Sequence, residues 1–266
     1  MPEGDSVTAI AIEQARRPLR WWHMLLPLAA LFLVPLIGAG ATALVVAELH
    51  MHGVATPGIL TGDLQKDAIF LVIVMVLSYA VMLAIMWWIA RRRGPFPLAG
   101  YFAPIDARTA WLAFASGLLL VGALELTANF LEWTHLATFH TTKVEEMLQA
   151  HSVGQLLLTL AMAAFLGPIA EEIYFRGMFL VWLRQNWSLP VAAAVNAILF
   201  ALIHGDMIAD PGLQGWIETF AIGAVALVNV LWTVRTGSLW AAFIVHCTFN
   251  GLEVLIASVP TIWGHG

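Results

Sequence analysis

Apolar runs about as long as a bilayer is thick alternate with short polar connections along this chain. Seven such runs occupy roughly residues 22–47, 68–90, 109–131, 154–183, 190–204, 215–234 and 239–259. A crossing needs about 20 mostly apolar residues, so the fifth run is short and the fourth is long. The pattern predicts an all-α, polytopic transmembrane helix bundle of about seven to eight spans.

The connections set an orientation. Arg16, Arg17 and Arg20 precede the first run, Arg91, Arg92 and Arg93 follow the second, Arg184 follows the fourth, and Arg235 separates the sixth from the seventh. All of these lie on one side if the N-terminus is cytoplasmic, as the positive-inside rule expects. The opposite connections hold Asp63, Asp67, Glu145, Glu146, Asp206 and Asp210, with Lys66 and Lys143 as their strong bases. The long charged leader and the length of the first run favour an uncleaved anchor over a signal peptide. The stretch RRRGPFPLAGYFAP at 91–104 breaks the helical pattern and reads as a linker on the membrane surface. Trp21, Trp22, Trp87, Trp88, Trp182, Trp187, Trp216 and Trp263 fall near the ends of runs, as an interfacial aromatic belt would.

Composition adds three exclusions. With 61% hydrophobic and 11% charged residues and a mean hydropathy of +0.84, the chain is no soluble domain but an integral, multi-pass membrane protein, with the cell membrane as its expected location. A net charge of −5 without a basic stripe speaks against a nucleic-acid partner. The single cysteine, Cys247, excludes an internal disulfide and a cysteine-rich zinc module.

Against this apolar background, GPIAEEIYFRG at 167–177 places three ionisable groups inside the fourth run. Such groups cost several kcal/mol each in a bilayer and point to function when they face a polar interior. On a helix Glu172 and Arg176 are about 40° apart and suited to pair, whereas Glu171 is about 140° from Arg176 and needs another partner. The competing explanation is a packing network or snorkelling to the interface. Two further stretches weigh against it: FALIH, with Phe200 and His204, and HCTFN, with His246 and Asn250, each pair one turn apart. A carboxylate and an imidazole are suitable general bases for water, and a second imidazole with a carboxamide can hold a developing oxyanion. These are the parts of a peptidase that has no nucleophilic side chain. Cys247, beside His246, points about 100° away from it and does not suit a thiol mechanism.

In order and spacing these motifs resemble the CPBP family of intramembrane proteases, the CAAX-protease and bacteriocin-processing or Abi family. The first motif is matched by Glu171, Glu172 and Arg176 with Gly177, the second by Phe200 and His204, and the third by His246 and Asn250 after RTGSLWAAFIV. The resemblance covers about residues 154–258. It implies that Glu171 and His204 activate the attacking water, that His246 and Asn250 stabilise the oxyanion, and that Glu172, Arg176 and Phe200 support them. Asn196 and Glu125 are candidates for a supporting layer behind these groups. On this reading residues 1–21 are a cytoplasmic N-terminal segment, 22–153 carry the first three spans with their loops, and 154–266 form the CPBP-like catalytic core.

The expected partners are the lipid bilayer and a protein or peptide substrate, including a membrane-anchored or prenylated one. No cofactor is required. Zinc is the alternative, with Glu171, His204 and His246 as its ligands, although the chain lacks the H-E-x-x-H helix that presents two ligands on one turn. Two other function classes compete: a proton- or ion-coupled transporter that uses Glu171, Arg176, His204 and Glu125 as its path, and a non-catalytic scaffold or immunity protein of the same fold. Counted from the span ends, His204 lies more than a turn shallower than Glu171 and His246. A shared site therefore requires helix tilt, a break near Gly167 and Pro168, or a deeper seat for the fifth span.

Overall fold

The computed structural model describes residues 18–53, 68–93, 101–139 and 149–264. Seven helices among them are long and apolar enough to cross a membrane. They are α1 (Trp21–Met51), α2 (Ala68–Arg93), α3 (Ala107–Trp133), α4 (Val153–Arg184), α5 (Leu189–His204, whose crossing runs on to Ala209), α6 (Leu213–Thr236) and α7 (Leu239–Trp263). No strand occurs among the described residues. The protein is thus an all-α, multi-pass membrane protein, built on the runs that the hydropathy pattern marks. The N-terminal segment before residue 18, and the loop charges Asp63, Lys66, Asp67, Lys143, Glu145 and Glu146, lie outside the described residues.

Local chemistry sets several helix ends. Asp106 caps α3 by accepting from the Thr109 N–H, and that bond holds its carboxyl below the ordinary range. Ser152 caps α4 and Ser238 caps α7 in the same way. Gly205 ends α5 at φ 78°, a left-handed conformation that suits glycine, and one helical turn at Asp206–Ala209 comes next.

Helix α4 is central and packs against α1, α2, α5, α6 and α7. Polar ties fasten the others to it. Tyr174 of α4 donates to the Met24 carbonyl of α1 at 2.8 Å, and Tyr101 donates to the Gly177 carbonyl of α4. A side chain at Gly177 would meet the Tyr101 ring at 3.2 Å, so this glycine makes room for the contact. Burial pushes the Tyr101 phenol above its ordinary range, which keeps it a donor. Tyr101 is therefore a core residue, and the surface linker expected at 91–104 does not extend to it: Arg91–Arg93 continue α2, and residues 94–100 lie outside the described set. Trp182 likewise departs from the interfacial belt, stacking on Phe179 beside the core, whereas Trp21, Trp87, Trp88, Trp187, Trp216 and Trp263 are exposed.

Helices α3 and α7 approach closely at Gly117, where a methyl group would lie 2.7 Å from Thr248 Cβ and 2.9 Å from the Val245 carbonyl oxygen. Small residues allow such backbone contact in membranes. Gly117→Ala is expected to destabilise the protein by about 1–3 kcal/mol through overpacking. Gly122→Ala, which meets nothing within 4 Å, is the control, and thermal unfolding in detergent compares the two.

Helix α4 is not regular. Leu160–Leu166 and Ile173–Phe179 are π-helical, separated by α-helical Gly167–Glu172. In the first segment Gly167 N–H bonds back to Met162 O. The next donor in that register would be Pro168, which has no N–H. Asn250 of α7 supplies the missing donor, its Nδ2 reaching Ala163 O at 2.9 Å. In the second segment Phe175 O accepts from Leu180 N–H and from Asn196 Nδ2 of α5 at 2.8 Å. Such π segments recur at functional sites, and here they reshape the helix on both sides of the two glutamates.

Candidate active site

The α-helical turn between the two π segments presents Glu171 and Glu172 in different directions, as their spacing requires. Glu172 is buried, and its Oε1 accepts three bonds: from Arg176 Nη1 at 3.1 Å, Asn229 Nδ2 at 2.8 Å and His246 Nδ1 at 2.9 Å. Arg176, also buried, donates its second terminal nitrogen to Ala226 O at 2.9 Å. One acid–base pair thereby links α4, α6 and α7.

Glu171 keeps 12% of its side chain exposed and points toward other helices. Its Oε1 accepts from the Tyr79 hydroxyl of α2 at 2.7 Å. Its Oε2 lies 3.8 Å from His246 Nε2 and 4.0 Å from His204 Nε2. Those gaps are too long for hydrogen bonds but suit a water that bridges the groups. His204, counted as shallow from the span ends, therefore does reach Glu171.

The hydrogen bonds assign the imidazole protons. His204 Nδ1 lies 2.7 Å from the Phe200 carbonyl oxygen, which can only accept, so Nδ1 carries the proton. His246 Nδ1 faces the Glu172 carboxylate and is a donor for the same reason. In both rings the Nε2 toward Glu171 is then the nitrogen left for chemistry. Phe200 contributes more than its carbonyl. Its ring meets His246 edge-on, with centroids 5.5 Å apart, and Arg176 lies 4.6 Å above it.

His204, His246, Phe200 and Asn250 line an open cavity of about 580 Å³ between α3, α5, α6 and α7, with Ala163 of α4 on its wall. Glu171 does not line it. Glu125 and Asn129 do, but Asn129 Nδ2 bonds the backbone oxygen of Glu125 and not its carboxylate. Asn196 stands behind the site, on the Phe175 carbonyl. Cys247 is a free thiol. Among the described residues no group of three or more His, Cys, Asp or Glu side chains is arranged to hold a metal ion.

Two partners escaped the sequence reading. Tyr79, next to Ser78, and Asn229 lie in apolar spans outside any motif. The signal available was their polarity at mid-span, which is costly unless something accepts the bond.

Residues 153–252 match the family model of the type II CAAX prenyl endopeptidase Rce1-like proteins. Over those residues the chain is similar to the CAAX-protease family. At the family level the match supports an intramembrane protease that acts on a protein or peptide. It covers α4, α5, α6 and the part of α7 that carries His246 and Asn250. The chain is also 26% identical, over 184 residues, to an uncharacterized 24.3 kDa protein of Escherichia coli, an overlap of 68% of this chain and 76% of that protein. No solved structure matches.

Proposed function

We propose that this protein is an intramembrane endopeptidase of the CPBP type, hydrolysing a peptide bond with water activated by Glu171 and His204. The observation that carries the reading is the convergence of both Nε2 atoms on Glu171 Oε2, with each Nδ1 held by an acceptor. Glu171 or His204 takes a proton from the water as its oxygen attacks the carbonyl carbon. Negative charge develops on the carbonyl oxygen, toward the second amide hydrogen of Asn250, the first being committed to Ala163 O, and toward His246, which donates from Nε2 as the imidazolium while Glu172 holds its Nδ1–H. The C–N bond then breaks, the proton passes to the departing amine, and a carboxylic acid is left on the other fragment. Glu172, Arg176 and Phe200 position the imidazoles.

With a cytoplasmic N-terminus, the cavity faces the extracytoplasmic side, since α3 and α5 end there and α6 begins there. Membrane-anchored and prenylated substrates both fall within this reading, and the cell membrane is the expected location. Residues 154–266 serve as the catalytic core.

The test is incubation of the purified full-length protein in nanodiscs with a peptide library, with and without a chelator, reading fragments by mass spectrometry. Cleavage that survives chelation supports the reading. Cleavage abolished by the chelator and restored by zinc favours the metal alternative, and no cleavage overturns the assignment.

Tyr79 acts as a positioning residue, because its hydroxyl fixes one oxygen of Glu171 and aims the other at the imidazoles. Tyr79→Phe removes a bond to a charged group, worth about 1.5–3 kcal/mol. It is expected to lower kcat about tenfold to a hundredfold, with KM little changed. Equal losses in kcat and fold stability would mean that the bond is structural only.

A further inference from the structure

The cavity beside the imidazoles is acidic. Five carboxylates line it, Glu125, Glu132, Asp206, Glu218 and Glu253, and no lysine or arginine is among the described residues on its wall. Glu218 is engaged by Gln214, and Glu253 also has a partner, so neither calls for an occupant. Asp206 does. It is only 5% exposed, it lies two residues beyond His204 across the Gly205 turn, and its Oδ2 has no hydrogen-bond partner. A buried carboxylate oxygen without a partner is costly, and on a cavity wall water or a ligand that brings a donor relieves that cost. Glu125 and Glu132 line the same cavity from α3, and Glu132 also accepts from the Phe139 N–H.

The acids are spread along the wall and do not converge into a metal cage. Leu124, Ile222 and Phe249 line the same cavity. An apolar and acidic lining suits a side chain with an apolar stem and a cationic head, and Asp206, two residues beyond His204, places that head near the bond to be cut.

We infer that the cavity is a cation-selective subsite, and that the substrate segment carries a lysine or arginine within a residue or two of the scissile bond. Cleavage of the bound segment rests on the protease reading, whereas the selectivity stands on the cavity wall alone.

The test uses the full-length protein in nanodiscs and labelled alanine–leucine peptides that differ in one central residue: lysine, arginine, glutamine or glutamate. Binding is measured by anisotropy on the Glu171→Gln variant, and cleavage on the wild type. Lysine and arginine peptides are expected to bind about tenfold or more tightly than the glutamine peptide, with glutamate weakest and the preference shrinking as salt rises. Asp206→Asn should bring the lysine-to-glutamine ratio toward one. Glu125→Gln, on a different helix, should lower the same ratio, so a misfolded Asp206 variant does not shield the inference. Binding within twofold for all four peptides, or ratios unchanged in both variants, would overturn it. Cleavage without a charge preference overturns the subsite and leaves the protease. A charge preference in binding without any cleavage supports the subsite and overturns the protease.

Discussion

Arg176→Met should leave little folded protein. The guanidinium is fully buried and neutralises Glu172, which is buried as well. Removing it strands a carboxylate among α4, α6 and α7, and takes the side-chain donor from the Ala226 carbonyl. Breaking a buried pair from one side costs about 3–5 kcal/mol, a large share of the roughly 5–15 kcal/mol that holds a typical domain. The double variant Glu172→Gln with Arg176→Met should recover part of that loss. The uncompensated charge is then gone, and a glutamine oxygen can still accept from Asn229 and His246. Thermal unfolding in detergent decides between these expectations. If the single and double variants are equally unstable, Arg176 acts through packing on Phe200 and not through charge.

The second large effect concerns rate. Glu171→Gln and His204→Ala are each expected to lower turnover by about 10²–10⁴. The two together should fall little further than either alone, because groups that act on one water fail as a unit. Both side chains are partly exposed, Glu171 at 12% and His204 at 29%, so neither change should unfold the protein as loss of Arg176 does. A non-catalytic scaffold would tolerate both substitutions. A transporter that uses the same groups would lose translocation and show no proteolysis at the outset.

The two experiments separate the roles proposed for the adjacent glutamates, whose different partners are legible in the sequence. The spacing of Glu172 and Arg176 predicts their pairing from helical geometry alone, and the same geometry sends Glu171 elsewhere. The seven spans were legible for a similar reason, since each is a continuous apolar run with polar ends. What the spacing does not carry is register between helices. Whether His204 meets Glu171 depends on the shape of α4, whose π segments offer carbonyls to Asn250 of α7 and Asn196 of α5 across the bundle. Asn250 shows the limit well. Its spacing from His246 marks a shared helix face, yet its bond to Ala163 O becomes intelligible only once Pro168 is seen to withhold the donor there. Tyr79 and Asn229 were missed because a polar residue outside any motif in an apolar span has no pattern, only a cost whose recipient lies on another helix.

The most direct measurement of the central claim is cleavage of a peptide library in ¹⁸O-labelled water by the purified wild type and by Glu171→Gln, read by mass spectrometry. New fragments are expected in the wild type, with one labelled oxygen in each newly formed carboxyl group, and near-complete loss of these fragments in the variant. Equal cleavage by both proteins, or none by the wild type, would contradict it.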